Sequence, residues 1–292
     1  MPLVTTGELV GRAAGARSAV AAFNIITLEH VEAVIAGAES AGAPVVLQVS
    51  ENAVKFRYGR LLPLARAAVA AAERADVPVA LHLDHVQSAD LLRQAPEAGF
   101  SSVMYDAARL SYADNLAATR AAADWAHAQG LWIEAELGQI GGKAGLPPLD
   151  AHAPGARTDP DQARDFVAGT EVDALAVAIG SAHAMTTRTA TLDHGLLKRL
   201  SAALSVPLVL HGSSGVPDDG LVAAVAGGIA KVNVGTALNA AMTGAVRDFL
   251  ATHPEAVDSR KYLSVGRDAM AREVARIIGV LGGARSGRAS RA

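Results

Sequence analysis

Nine histidines and 29 acidic residues are spread along a chain that has no cysteine. Thiol catalysis, disulfides and Cys-bound zinc are therefore excluded, and any metal site must use His, Asp and Glu. Three histidines share a placement: His85, His183 and His211 each follow a short apolar run, directly or within a few residues. Three imidazoles with an open fourth position are the ligand pattern of a catalytic zinc. Asp84 precedes the first of them, where a carboxylate would adjoin the metal and be available for proton transfer. Asp106 and Glu136 also close apolar runs. They are candidates for orienting ligand imidazoles or for a second metal position, and spacing alone does not separate the two. Asn24, Gln48, Ser50, Asn233 and Thr236 bring amides and hydroxyls to equivalent places. His30, His127, His194 and His253 fall in helical stretches or at their ends and read as surface residues, and His152 falls in a long loop.

Two glycine-containing segments add a different chemistry. His211-Gly212-Ser213-Ser214-Gly215 follows the seventh apolar run, and Asn233-Val234-Gly235-Thr236 closes the eighth. Loops at the seventh and eighth strands of a parallel barrel often bind phosphate through backbone N–H groups. Glycine permits close approach, and hydroxyls with a helix N-terminus complete an anion nest.

Positioning these groups requires a repeating scaffold. The apolar runs cover residues 20–23, 45–49, 79–83, 102–105, 131–135, 174–179, 207–210 and 230–234. Between them lie helical stretches at 28–41, 88–98, 112–129, 159–167, 196–204, 218–226 and 237–250, and Thr5-Thr6 can cap a further helix through Ala14. Strands alternating with helices imply parallel βαβ units, and eight strands suffice to close a (β/α)8 TIM barrel. In such a barrel the polar strand ends converge on one face, where the sites of these enzymes lie. The expected architecture is α/β: one barrel over residues 1–281, with a short N-terminal helix and a C-terminal helical extension, and a loose basic tail over 282–292. Segments 138–158 and 184–193 interrupt the rhythm; a connection as long as the first is usually functional or disordered.

The chain has 292 residues, a net charge of −3 and 51% hydrophobic residues, which argues against global disorder and against nucleic acid as the main partner. No run of about 20 apolar residues suggests a membrane span, and no compact apolar signal core opens the chain. The expectation is a soluble cytoplasmic protein.

These motifs together resemble the class II, zinc-dependent ketose-bisphosphate aldolases, the fructose and tagatose branch in particular. The matching stretches are AFNI (22–25), HLDH (82–85), AGFSSVMYD (98–106), EAELG (134–138), VDALAVAIG (172–180), LVLHGSSGVP (208–217) and KVNVGT (231–236). The resemblance runs from about residue 3 to residue 281. It implies zinc held by His85, His183 and His211, with Asp84 exchanging a proton at the C4 oxygen. It implies a second divalent position at Asp106 and Glu136, with a monovalent cation as a further candidate. Asn24, Ser50, Gly212, Ser213, Ser214, Asn233, Val234, Gly235 and Thr236 match substrate contacts, the loop residues among them holding the dihydroxyacetone-phosphate half. Ala184 stands where relatives usually carry a glycine that contributes a backbone contact. Arg260 resembles a basic residue that reaches the distal phosphate, often in a neighbouring subunit. The implied partners are a phosphorylated ketose and further copies of the chain, as a dimer or tetramer.

The sequence also departs from the family. Relatives carry an acid soon after the Gly-Gly pair that follows EAELG, to exchange the proton on the enediolate carbon; here that place is Ala144. Asp150, the next acid in that loop, and Glu51, at the second strand end, are the candidate substitutes. Gly-Ser-His after the fourth-strand Asp becomes Ala107-Ala108-Arg109, and Ser-His-Gly after the sixth strand becomes Ala182-His183-Ala184. A different aldehyde half or slow turnover follows as a hypothesis, with Arg109 suited to an anionic substrate. Cleavage of another phosphorylated keto-sugar, such as a deoxy-gluconate phosphate, and sugar-phosphate binding without turnover are the alternatives.

Overall fold

The structure, a computed structural model, describes residues 2–138, 140–141 and 156–289. Eight parallel strands close a barrel in sequence order: β1 (Val20–Asn24), β2 (Val45–Ser50), β3 (Val79–Val86), β4 (Ser102–Tyr105), β5 (Trp132–Leu137), β6 (Ala174–Val177), β7 (Leu208–Leu210) and β8 (Ile229–Val234), with β8 pairing back onto β1. The helices run α1 (Thr6–Gly15), α2 (Leu28–Ala41), α3 (Glu51–Phe56), α4 (Leu62–Ala72), α5 (Ala89–Leu92), α6 (Ala95–Ala98), α7 (Tyr112–Ala128), α8 (Pro160–Thr170), α9 (His194–Ala203), α10 (Asp218–Ala226), α11 (Thr236–Thr252) and α12 (Ser259–Ala289). The expected (β/α)8 barrel is therefore the observed one.

The differences from expectation have local causes. The stretch from Ser88 splits into α5 and α6, because Pro96 needs a first-turn position and restarts the helix there. Helices α3 and α4 both fill the connection after β2, where no helix was expected; α4 is almost wholly Ala, Leu and Val, so no polar stripe marks it. Helix α12 continues to Ala289, past Gly282, where the composition suggests a loose tail.

Two layers of packing hold the barrel. Outward strand residues such as Phe23, Leu47, Leu81 and Ile133 meet the helices in one large core. Inside, the lower end is apolar and stoppered: Leu9, Val10 and Ala13 of α1 pack on Val20, Ala22, Val46, Ala80 and Ala230. Thr5 caps α1 by accepting from the Glu8 amide. Helix α2 begins after extended Thr27, ends at left-handed Gly42, and buries Val31, Val34, Ile35 and Ala38. Helix α12 lies across α2 and is fastened near the barrel mouth by Arg276, which donates to Asp218 and Glu273. Arg188, from the connection after β6, joins the same Asp218.

Gly37 sits at the α2–α12 crossing, where an added Cβ would lie 2.5 Å from the Ala271 carbonyl and 2.6 Å from Val274 Cβ. Gly37→Ala should destabilise the fold by about 1–3 kcal/mol in urea unfolding, because backbone must move to admit the methyl group. Gly11→Ala, on an open face of α1 with nothing within 4 Å, should be neutral or stabilising by up to about 1 kcal/mol. Equal effects at the two positions would contradict this packing.

Candidate active site

Alternation along a strand points residues i and i+2 to one side, and each polar pair uses it to face the barrel axis. Asn24 of β1, Gln48 of β2, His82 and Asp84 of β3, Glu134 and Glu136 of β5, and Lys231 and Asn233 of β8 form two storeys above the apolar base. The upper storey opens into a cavity of about 740 Å³ at the C-terminal mouth, lined by Asn24, Ser50, Asp84, His85, Asp106, His183, Gly212 and Asn233 among others. Strand β3 is longer than expected and contains Asp84 and His85. Successive strand residues ordinarily face opposite ways, yet both reach the mouth. The β3–β4 register shifts between Leu83 and Val86, and His85 takes a left-handed φ of 49°. This bulge turns the imidazole inward.

The other two histidines arrive by close loop approach. Left-handed Gly212 packs on the Ala182 backbone, where a Cβ would lie 2.6 Å from the carbonyl oxygen. The His183 amide donates to Gly141 at 2.7 Å. The three rings consequently cluster, with centroid separations of 5.0 Å (His85–His183), 4.8 Å (His85–His211) and 5.8 Å (His183–His211). One donor atom from each of His85, His183, His211 and Glu136 lies within 4.8 Å of the others.

Charge points to the same use. Asp84, Asp106, Glu134 and Glu136 are all buried, and among the described residues Lys231 is the one buried lysine facing them. Asp84 Oδ1 is a buried oxygen without a hydrogen-bond partner among the described residues. Such an excess of buried negative charge beside clustered imidazoles fits a divalent cation.

Carboxylates also hold the rings. His85 Nδ1 lies 3.0 Å from Asp106 Oδ2, the orienting arrangement of a second coordination layer. His211 is gripped at both nitrogens, by Glu136 at 2.9 Å and Glu134 at 2.8 Å. Burial would lower the His211 pKa, but the two carboxylates outweigh it and push it up to about 9. Burial, reinforced by Lys231, pushes His82 down to about 3, so that ring is neutral. Asp84 accepts from Asn24 Nδ2 at 3.2 Å, and Asn24 accepts from Gln48 Nε2 at 2.7 Å. Burial would raise the Asp84 carboxyl, yet His85, His211 and Lys231 hold it below its usual range, ready to accept a proton.

The remaining expected residues divide. Gly212, Ser214, Asn233, Gly235, Thr236 and Ala184 line the same cavity. Thr236 opens the 17-residue helix α11, and Ser214 Oγ accepts from the Ala237 amide in its first turn. Ala184 has a left-handed φ of 59°, the conformation that glycine takes without strain. Ser213 and Val234 do not line this cavity; the Ser213 hydroxyl is spent on the Asn233 carbonyl, tying the two loops together. Arg260 lies on α12 away from its own chain's cavity, paired with Asp258. Glu51 lines the mouth, but both oxygens are engaged, by Lys55 at 2.8 Å and by the Gln87 and Ser88 amides. Although burial alone would raise it, these partners hold Glu51 below the usual range, so it braces α3 against the end of β3 and is poorly suited to stand in for the loop acid. Ala144, Asp150 and His152 lie outside the described residues.

Three buried groups escape sequence reading of strand ends: His82, Glu134 and Lys231. The available signal was parity, since His82 shares a face with Asp84, Glu134 with Glu136 and Lys231 with Asn233. His30, expected at the surface, is buried between Thr27 Oγ1 and Asn239 Oδ1. It bridges α2 to α11 and so holds Asn239, a cavity residue.

The sequence profile described as Fructose-bisphosphate aldolase class-II matches residues 4–286. Among solved structures, the YdjI aldolase of Escherichia coli K12 is 31% identical, with 96% of this chain and 97% of that chain covered and a TM-score of 0.81. A putative fructose-1,6-bisphosphate aldolase of Coccidioides immitis is 28% identical over 95% and 96%, with a TM-score of 0.82. A fructose-bisphosphate aldolase of Campylobacter jejuni, 22% identical over 96% and 95% with a TM-score of 0.80, shares the fold. No helix among the described residues is long and apolar enough to cross a membrane.

The doubly gripped imidazole gives the metal-free chain a pH signature. His211 rises from 6.5 to about 9 on folding, so its stabilisation is complete below pH 6.5 and is lost as pH rises through about 9. With a chelator present, the melting temperature should fall between pH 7 and pH 9.5, and His211→Gln should flatten that fall. A parallel decline in both proteins would contradict the assignment.

Proposed function

The chain belongs to the class II fructose-bisphosphate aldolase family, and on that premise we propose that it cleaves a ketose 1,6-bisphosphate, fructose or tagatose, reversibly to dihydroxyacetone phosphate and an aldehyde phosphate. The observation that carries this reading is the convergence of His85, His183, His211 and Glu136 within 4.8 Å, beside an ionised Asp84 at the mouth of the barrel. These residues would hold a divalent cation, zinc by the chemistry of the donor set. When bound, the cation supplies Lewis-acid stabilisation of the negative charge that develops on the ketose oxygens.

The protein's own groups do the rest. Asp84 takes the C4 hydroxyl proton as the C3–C4 bond breaks and returns it in condensation. Asn24, itself held by Gln48, fixes the Asp84 carboxylate through Oδ2. Gly212, Ser214, Gly235 and Thr236 suit the phosphate of the dihydroxyacetone half: left-handed Gly212 opens backbone to the ligand, and the α11 N-terminus favours an anion. Binding energy gained there, remote from the breaking bond, orients C3 for reaction. Asp106 holds His85 by its Nδ1, which favours an orienting role for this carboxylate over ligation of a second ion. Arg109 and Lys55 place positive charge at the rim, suited to the distal phosphate. A contribution from Arg260 would have to reach the cavity of another copy of the chain.

The deciding experiment is metal analysis joined to a panel of phosphorylated ketoses, with deoxy-gluconate phosphates included. The expected outcome is cleavage of a bisphosphate that chelation abolishes and added zinc restores. Asp84→Asn should keep the metal while lowering kcat by roughly 10²–10⁴-fold. A covalent adduct trapped by borohydride, or near-normal turnover in Asp84→Asn, would overturn the reading.

A further inference from the structure

One buried histidine stands apart from the imidazole cluster and takes no part in the proposed reaction. His30 lies in the first turn of α2, buried against α11. Thr27, in extended conformation before α2, makes no cap bond with its hydroxyl and instead meets His30 Nδ1 at 3.0 Å. On the other side of the ring, His30 Nε2 lies 3.3 Å from Asn239 Oδ1. A carbonyl oxygen can only accept, so Nε2 carries the hydrogen and the Thr27 hydroxyl donates to Nδ1. Burial lowers the His30 pKa, which keeps the ring neutral. Asn239 Nδ2 makes no hydrogen bond among the described residues.

The place of this amide gives it a use. Asn239 is exposed and lines the mouth cavity. It follows Thr236 by three positions, so the two share a face of α11, and helical side chains lean toward the N-terminus, here toward the mouth. The chain of contacts behind it ends at Thr27, directly after Ile26, whose carbonyl accepts from Arg57 Nε at 3.1 Å and Nη2 at 2.7 Å. Ile26, Lys55, Phe56 and Asn239 thus form the flank of the cavity beside β1 and α3. Under the functional reading, on which this inference rests, Gly212, Ser214, Gly235 and Thr236 hold the dihydroxyacetone-phosphate half, and Lys55 on this flank suits the distal phosphate. We propose that Asn239 is a specificity-determining residue whose Nδ2 donates to an oxygen of the aldehyde half, and that His30 is the positioning residue that turns this donor into the cavity. With Oδ1 fastened, the amide cannot flip, and a donor already held in place gives up little freedom on binding.

Steady-state kinetics of the condensation of dihydroxyacetone phosphate with D-glyceraldehyde 3-phosphate, the aldehyde half of fructose and tagatose bisphosphate alike, test this. Asn239→Asp keeps an acceptor for His30 and replaces the donor by a carboxylate. It should retain the wild-type melting temperature while raising the KM for the aldehyde roughly 10-fold or more. Asn239→Leu should raise that KM roughly 3–10-fold, and neither variant should change the KM for dihydroxyacetone phosphate. His30→Leu should reproduce Asn239→Leu and add nothing to it in the double variant, whereas His30→Gln, which retains an N–H donor, should restore the aldehyde KM. An unchanged aldehyde KM in Asn239→Asp, or a loss that falls on dihydroxyacetone phosphate instead, would overturn the proposal and leave the His30–Asn239 contact as a brace between helices. If His30→Leu does not fold, the two Asn239 variants decide. Wild-type protein that catalyses no condensation would overturn the functional reading and this inference with it, whereas an active aldolase indifferent to Asn239 would overturn the inference alone.

Discussion

Glu134 and Lys231 meet at the waist of the barrel, where neither touches water. A lone charge there would cost several kcal/mol even after relaxation, and a pair is tolerable only when its geometry is good and its other hydrogen bonds are made. Both conditions are met: Lys231 bridges Glu134 and Asn233, and Glu134 bridges Lys231 and His211. The upper storey inherits its order from this arrangement. His211 is set by Glu134, His85 by Asp106, and Asp84 by Asn24 and Gln48. Asp84 and His85 thus stand on a strand, and His211 follows one directly, with hydrogen-bonded supports behind them, the condition for holding a metal site or a general base to a narrow geometry.

Two halves of the mouth do different work. The β3, β5, β6 and β7 side concentrates imidazole and carboxylate, which suits a cation and proton transfer. The loops after β7 and β8 contribute glycine backbone, hydroxyls and the start of α11, which suit an anion. The halves are joined physically: the loops carrying His183 and His211 touch through Gly212, and Ser213 ties the His211 loop to Asn233. Movement of one half would be felt by the other, so the cation-suited and anion-suited sides of the mouth share a single frame.

Much of this is legible from the chain. Eight apolar runs, each ending in a polar residue, identify the barrel and its active end, and Asp84, His85, His183 and His211 meet there. What sequence reading lost follows from burial and backbone geometry. Glu134 and Lys231 sit inside apolar runs, so a search of strand ends passes over them, although their parity with Glu136 and Asn233 places them on the axis. His30 has the helical spacing of an outer position but is covered by α11, which is distant in the chain. Pro96 divides a helix that periodicity alone would continue. The bulge before His85 has no signature in residue type; it arises from the register shift against β4.

That bulge sets the interests of folding and chemistry against each other at one residue. A side chain bearing a Cβ is disfavoured in the left-handed region by roughly 1–2 kcal/mol, whereas glycine is at ease there. Selection for thermal endurance alone would drift position 85 toward glycine or asparagine. With the metal-binding role proposed for His85, an imidazole there marks a stability–function trade-off: a more robust protein would hold the cation less well.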